Sequence, residues 1–162
     1  MISEELEKYI NEKVEGFKKD LLLDVTKKVD DEKVKTVWDL NTIDYEDYFA
    51  LGEDGEIKHY IFNSDYDKKV RDMGNAFLTE EEAEFEVERR KVETVLRMYS
   101  RPFKYGGGNW FIEFSVNDEL IEASYAVYTN IGVPCFETEE LANHVINEIG
   151  EDRLKKYWFG LE

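Results

Sequence analysis

The chain is poor in the residues that most often carry chemistry. It has one cysteine, two histidines and two prolines among 162 residues. A lone Cys135 cannot form an intramolecular disulfide, which fits a reducing compartment. His59, Cys135 and His144 are scattered rather than set at ligand spacing, so no metal site is expected. No apolar run approaches the roughly 18 residues of a membrane span. The strongest, "DLLLDV", is bracketed by Asp20 and Asp24, so no membrane partner is expected. The opening "MISEELEKYI" is acidic where a secretion signal would be basic, and no targeting segment is read there. Positive charge is outnumbered by negative. The 21 Lys and Arg face 38 Asp and Glu, a formal charge of -17. Such a field repels nucleic acid and anionic membranes and attracts basic proteins.

The length fits one domain with an appendage, and the apolar fraction of 42% suffices for a core. From Ser3 to Lys19 the apolar residues Leu6, Tyr9, Ile10, Val14 and Phe17 fall at helical spacing, with Ser3 as cap. "LLLDVTKKV" continues in an ambiguous register, and "DDEK" is a charged break. Residues 1–36 are therefore expected to be an N-terminal helical appendage, covering the core or forming a homodimer.

Residues 37–162 predict a duplicated domain. In "YFALGEDGEIKHYIF" the Asp54-Gly55 pair between apolar runs signals a hairpin. The polar stretch "NSDYDKKVRDMGN" predicts a loop. Thr79 then caps a helix, with Glu82 three residues on and Ala83, Val87, Val92, Val95, Leu96 and Tyr99 as its stripe. The pattern recurs. Trp110, Ile112, Phe114 and Val116 alternate on one strand; Ile121, Ala123, Tyr125 and Val127 alternate on the return. Thr138 caps a helix carrying Leu141, Ala142, Val145, Ile146 and Ile149, with Gly150 closing it. "EDRLKKYWF" predicts a last short helix.

Asp54-Gly55-Glu56-Ile57 aligns with Asn117-Asp118-Glu119-Leu120, and Phe77 and Thr79 align with Phe136 and Thr138. The expected fold is α+β: two ββα repeats, about residues 38–100 and 101–162, forming one four-stranded antiparallel sheet with helices packed on it.

No catalytic constellation emerges. "DYDKKVRD" lacks the glycine and closing glutamate of a calcium loop. "KYGGGNW" lacks the Lys-Ser/Thr pair of a phosphate loop and reads as a flexible connection. The acids from Glu80 to Glu88 are accounted for by capping, helix dipole and side-chain pairing. Two clusters are not: Asp44-Tyr45-Glu46-Asp47 and Asp65-Tyr66-Asp67. Carboxylates interleaved with Tyr beside strands can stand in for phosphates, and Tyr adds contact area at low entropic cost. These seven residues are the expected partner-binding site. No catalytic residue, metal or cofactor is expected. A metal-dependent hydrolase built on surface carboxylates is a lesser reading, since the carboxylates show no ligand spacing.

The stretches "YFALGEDGEI", "GNAFLTEEEAEFEVERRKVETVLRMYSRPF", "NWFIEFSVNDELIEASYAVY" and "FETEELANHVINEIGEDRLKKYWFG" resemble small acidic proteins encoded by phages and prophages of low-GC Gram-positive bacteria. The resemblance covers about Trp38 to Gly160; "GNAFLTEEEAE" and "YWFG" are its most specific pieces. That group includes or neighbours anti-CRISPR-type inhibitors of host defence. The resemblance implies expression in the cytoplasm of a bacterial host and a basic host protein as partner, an RNA-guided nuclease. It implies no direct contact with nucleic acid. The alternative it leaves is a phage accessory or assembly protein acting through oligomerisation or protein contact.

Overall fold

The computed structural model describes residues 4–32, 34–128 and 132–161. They fall into two units, Met1–Asp39 and Leu40–Glu162. In the first, α1 (Glu4–Glu32) runs unbroken through the stretch of ambiguous register and ends in the charged "DDE". The expected Ser3 cap lies outside the described residues. A 3-10 turn (Val37–Asp39) follows, closed by the Thr36 N–H and hydroxyl, which both donate to Asp39 Oδ2 at 2.9 Å.

The second unit opens with the predicted hairpin, β1 (Asp47–Leu51) and β2 (Ile57–Ile61), with Phe49 opposite His59. The turn works as its residues dictate. Gly55 takes φ +83, a left-handed conformation that a side chain would strain, and Asp54 Oδ1 accepts from the Glu56 N–H at 3.1 Å. A short strand β3 (Ala76–Phe77) then pairs with the free side of β1, Phe77 opposite Phe49. Helix α3 (Glu80–Tyr99) starts at Thr79, whose Oγ1 accepts from Glu82 N at 3.2 Å. Glu82 reaches back to the N–H of Leu78, one residue before the cap.

The second hairpin joins β4 (Asn109–Ser115) to β5 (Leu120–Ala126). Strand β5 stops one residue short of Val127. Phe136 bridges to Trp110 on the other side of β4, exchanging bonds of 3.3 and 2.7 Å. Thr138 caps α4 (Glu139–Ile149), accepting from Leu141 N at 3.2 Å. Gly150, at φ +89, links it to α5 (Glu151–Arg153), which widens into a π-helical turn, Leu154–Trp158, rather than continuing as a plain helix.

The α+β class holds: two hairpins, each followed by a Thr-capped helix. The single four-stranded sheet does not. The strands form one sheet in the order β2-β1-β3 and another, β4-β5. Each hairpin's first strand is occupied on its outer side by the segment that returns to its own helix cap, and the hairpins do not pair with each other. The apolar core gathers Val92 and Leu96 of α3, Ile112, Ile121, Phe136, Ala142, Val145, Ile146 and Ile149, and Leu154.

The Gly-rich stretch before β4 is anchored from below. Asn109, 1% exposed, accepts from Lys104 N (2.9 Å) and Arg101 Nη1 (3.0 Å), and its amide donates to the carbonyls of Lys104, Gly107 and Ala126. Every hydrogen-bonding capacity of that buried amide is filled, which fixes a loop the sequence leaves free.

Candidate protein-binding surface

Asn41 builds the first wall of the surface. Its Oδ1 accepts from the N–H groups of Ile43 (2.9 Å) and Asp44 (3.1 Å), an Asx turn that folds the chain before β1. The turn delivers Tyr45 at φ +53, an uncommon conformation for a bulky side chain, and leaves it 65% exposed. Glu46 follows, and its carbonyl accepts from Phe62 N at 2.8 Å, just past the end of β2. Asp47 begins β1 opposite Ile61 and pairs with His59 Nε2 at 3.2 Å.

The second wall departs from the expected loop. Residues Asp65–Asp72 form a helix, α2. Ser64 is its cap: Ser64 Oγ accepts from Asp67 N at 3.4 Å, and Asp67 Oδ2 accepts from Ser64 N at 2.8 Å. Acids Asp65 and Asp67 sit in its first turn, Lys69 and Arg71 in its last, both favourable to the helix dipole. Ser64-x-x-Asp67 is the capping-box spacing, and that is the sequence signal marking this helix. A helix this short and polar carries no apolar stripe, so periodicity does not reveal it.

The expected partner-binding residues divide accordingly. Because the Glu46 carbonyl holds the Phe62 N–H, the cluster Asp44, Tyr45, Glu46 and Asp47 lies beside the segment that leads into Asp65 and Tyr66. Asp44, Asp47, Asp65 and Tyr66 are exposed, and Tyr66 is 70% so. Lys68 Nζ pairs with Asp65 at 2.8 Å, offsetting part of the charge.

Asp67 does not belong to that surface. It is 6% exposed and accepts from the Tyr48 hydroxyl at 2.7 Å and from the Ser64 hydroxyl at 2.6 Å. Burial alone would push its carboxyl up; the bonds from Ser64, Tyr48 and the Asn63 and Ser64 N–H groups hold it below the usual carboxylate range. Burial, reinforced by the Asp67 bond and charge, raises the Tyr48 phenol well above its ordinary value. Asp67 is a structural carboxylate because the capping turn needs an acceptor and Tyr48 is fully buried.

A cleft of about 400 Å³ lies toward the turn end of the first hairpin, lined by Gly52, Lys58, Tyr60, Tyr66, Asn75 and Arg90 among others. Asn75 Oδ1 is buried there without a hydrogen-bond partner, a feature no sequence pattern marks. A larger open depression of about 720 Å³ lies between the first hairpin's tip, α3 and the C-terminal turn; no His, Cys, Ser or Thr lines it.

Among the described residues no three His, Cys, Asp or Glu side chains are grouped to hold a metal ion. His144 pairs with Glu148 at 3.3 Å, and burial pushes the Cys135 thiol up. No described helix is long and apolar enough to cross a membrane.

The fold and this surface define an α+β protein with an acidic, tyrosine-bearing end on its first hairpin. No known protein family matches the chain, and neither a curated protein nor a solved structure is similar to it.

Proposed function

We propose that this chain is a non-enzymatic binding protein that inhibits a host-defence nucleic-acid enzyme, an RNA-guided nuclease, in the cytoplasm of a phage-infected bacterium. The phage resemblance and the charge of -17 motivate the reading. The observation that carries it is the backbone bond from Phe62 N to the Glu46 carbonyl, which holds the segment of Asp44 and Tyr45 alongside the one that leads into Asp65 and Tyr66. Carboxylates fixed on a strand end and a helix start compete with phosphates for the partner's Lys and Arg. The two exposed Tyr rings offer faces on which Arg can stack. Long-range attraction speeds the encounter, and salt weakens it.

The test uses the whole chain as bait in a bacterial lysate at low salt, eluted with rising salt. The retained enzyme is then challenged with its nucleic acid. Expected is mutual exclusion, lost in the Asp44→Lys/Asp47→Lys/Asp65→Lys variant. Retention of no basic nucleic-acid enzyme, or simultaneous binding of chain and nucleic acid, overturns the proposal. A second reading, a phage accessory protein acting by contact between copies, is favoured by the apolar side chains exposed along α1.

A further inference from the structure

Helix α1 spans 29 residues, and its large apolar side chains are exposed, among them Ile10, Val14, Phe17 and Leu21 along one face and Tyr9, Leu22 and Leu23 off it. Helices in proteins draw most of their stability from burying such a face. This one also carries Gly16 in its interior, which makes it weaker still alone.

The face has an internal symmetry. At 3.6 residues per turn, Ile10, Val14, Phe17 and Leu21 form one stripe, and the sequence extends it to Leu6 and Val25. Its steps are four, four, three, four, four, the same read from either end. A stripe with that order has a two-fold axis of its own, between Glu15 and Gly16. Turning a second copy about this axis sets Ile10 against the partner's Leu21 and Val14 against the partner's Phe17.

The flanking charges select the direction. Antiparallel, Lys13 on one flank meets the partner's Asp20, and Lys18 on the other meets the partner's Asn11 and the partner's Glu15. Parallel and in register, the flank of Lys13 faces the partner's Lys18, like charge against like at the centre of the contact.

We propose that α1 is a self-association helix that pairs antiparallel with α1 of a second copy, with Ile10, Val14, Phe17 and Leu21 as the contact and Lys13 facing the partner's Asp20. The assignment stands independently of the target proposed above, because it is read without any target present.

Sedimentation equilibrium on the full chain tests it. The expected result is a reversible dimer of 19.2 kDa chains. Phe17→Asp places a charge in the contact and should weaken the dimer roughly 100-fold or more. Lys13→Asp should weaken it by about tenfold, and Lys13→Asp/Asp20→Lys should restore it, a rescue that loss of helix alone would not produce. A nitroxide placed at Thr26 on a Cys135→Ala background reads the direction. The antiparallel pair puts the two labelled backbones about 30 Å apart along the axis, and a parallel pair keeps them side by side. A monomer at every concentration overturns the proposal. So does a dimer indifferent to Phe17→Asp, or a short label separation.

Discussion

The two halves of the second unit follow one plan and are held together by different forces. In each, a hairpin is followed by a return segment that pairs with the hairpin's first strand, and a Thr-capped helix comes two residues later. Phe77 meets Phe49 in the first half; Phe136 meets Trp110 in the second. The apolar cluster around α4 takes β4, β5 and Phe136 from the second half and Val92 and Leu96 of α3 from the first, which buries Tyr48, Ala50, Leu51, Phe62 and Ala76 outside that cluster. Its own hairpin is knit by rings and a buried polar contact. Tyr48 packs edge-on to Phe62 with centroids 5.6 Å apart and donates to Asp67. Four residues of β2, Lys58 to Ile61, are exposed. The half whose hairpin lies outside that cluster is the half that carries the acidic surface. A sheet that relies on specific polar contacts leaves its outer side chains free to meet a partner, at the expense of sensitivity to pH and to single polar substitutions.

The largest test of that contrast compares equivalent residues. Phe136 is fully buried, so Phe136→Ala should cost about 3–5 kcal/mol in urea unfolding. Phe77 is half-buried on a two-residue strand, and Phe77→Ala should cost about 1–2 kcal/mol. Equal costs would mean the halves share one apolar support.

Next comes the polar contact peculiar to the first half. Asp67→Ala removes the acceptor for Tyr48, Ser64 and two backbone N–H groups, and should cost about 3 kcal/mol. Tyr48→Phe leaves the Ser64 bonds in place and should cost about 1–2 kcal/mol. Because the folded carboxyl is held below its ordinary value of 3.8, its stabilisation is complete above that pH and is lost as pH falls through the folded value. Acid should therefore open β1, β2 and α2 before β4, β5 and α4, read as amide exchange. In Asp67→Asn the difference between the halves should shrink.

The smallest effect should be the same in both halves. Thr79→Ala and Thr138→Ala each remove one cap bond of 3.2 Å and should each cost about 1 kcal/mol. Unequal costs would show that one helix start is held mainly by tertiary contacts.

Much of this fold is written in local patterns. Alternation and turn residues specify both hairpins, and the phrase Phe-x-Thr-Glu-Glu specifies both helix starts. Each of these depends on neighbours within a few positions: glycine tolerates positive φ, a hydroxyl satisfies an orphan N–H, and period-two side chains share a face. Of the seven residues expected at the surface, Asp44, Tyr45, Asp47, Asp65 and Tyr66 are exposed, and Asp44, Asp47 and Asp65 also hold Asn41, His59 and Lys68. Asp67 is buried instead. Its capping bonds with Ser64 are local, but its bond from Tyr48, nineteen positions away, exists only once β1 packs against α2.

The sequence by itself determined the two hairpins, the two Thr-capped helices and their duplication, since propensity, turn chemistry and hydrophobic period act over short distances. Only the tertiary structure decided that each hairpin closes on its own return strand, that Asn109 and Asp67 are buried acceptors, and that the Glu46 carbonyl takes the Phe62 N–H. Those outcomes depend on which backbone groups remain unpaired after the elements form. Such competition is settled between segments far apart in the chain, so no local pattern can record it.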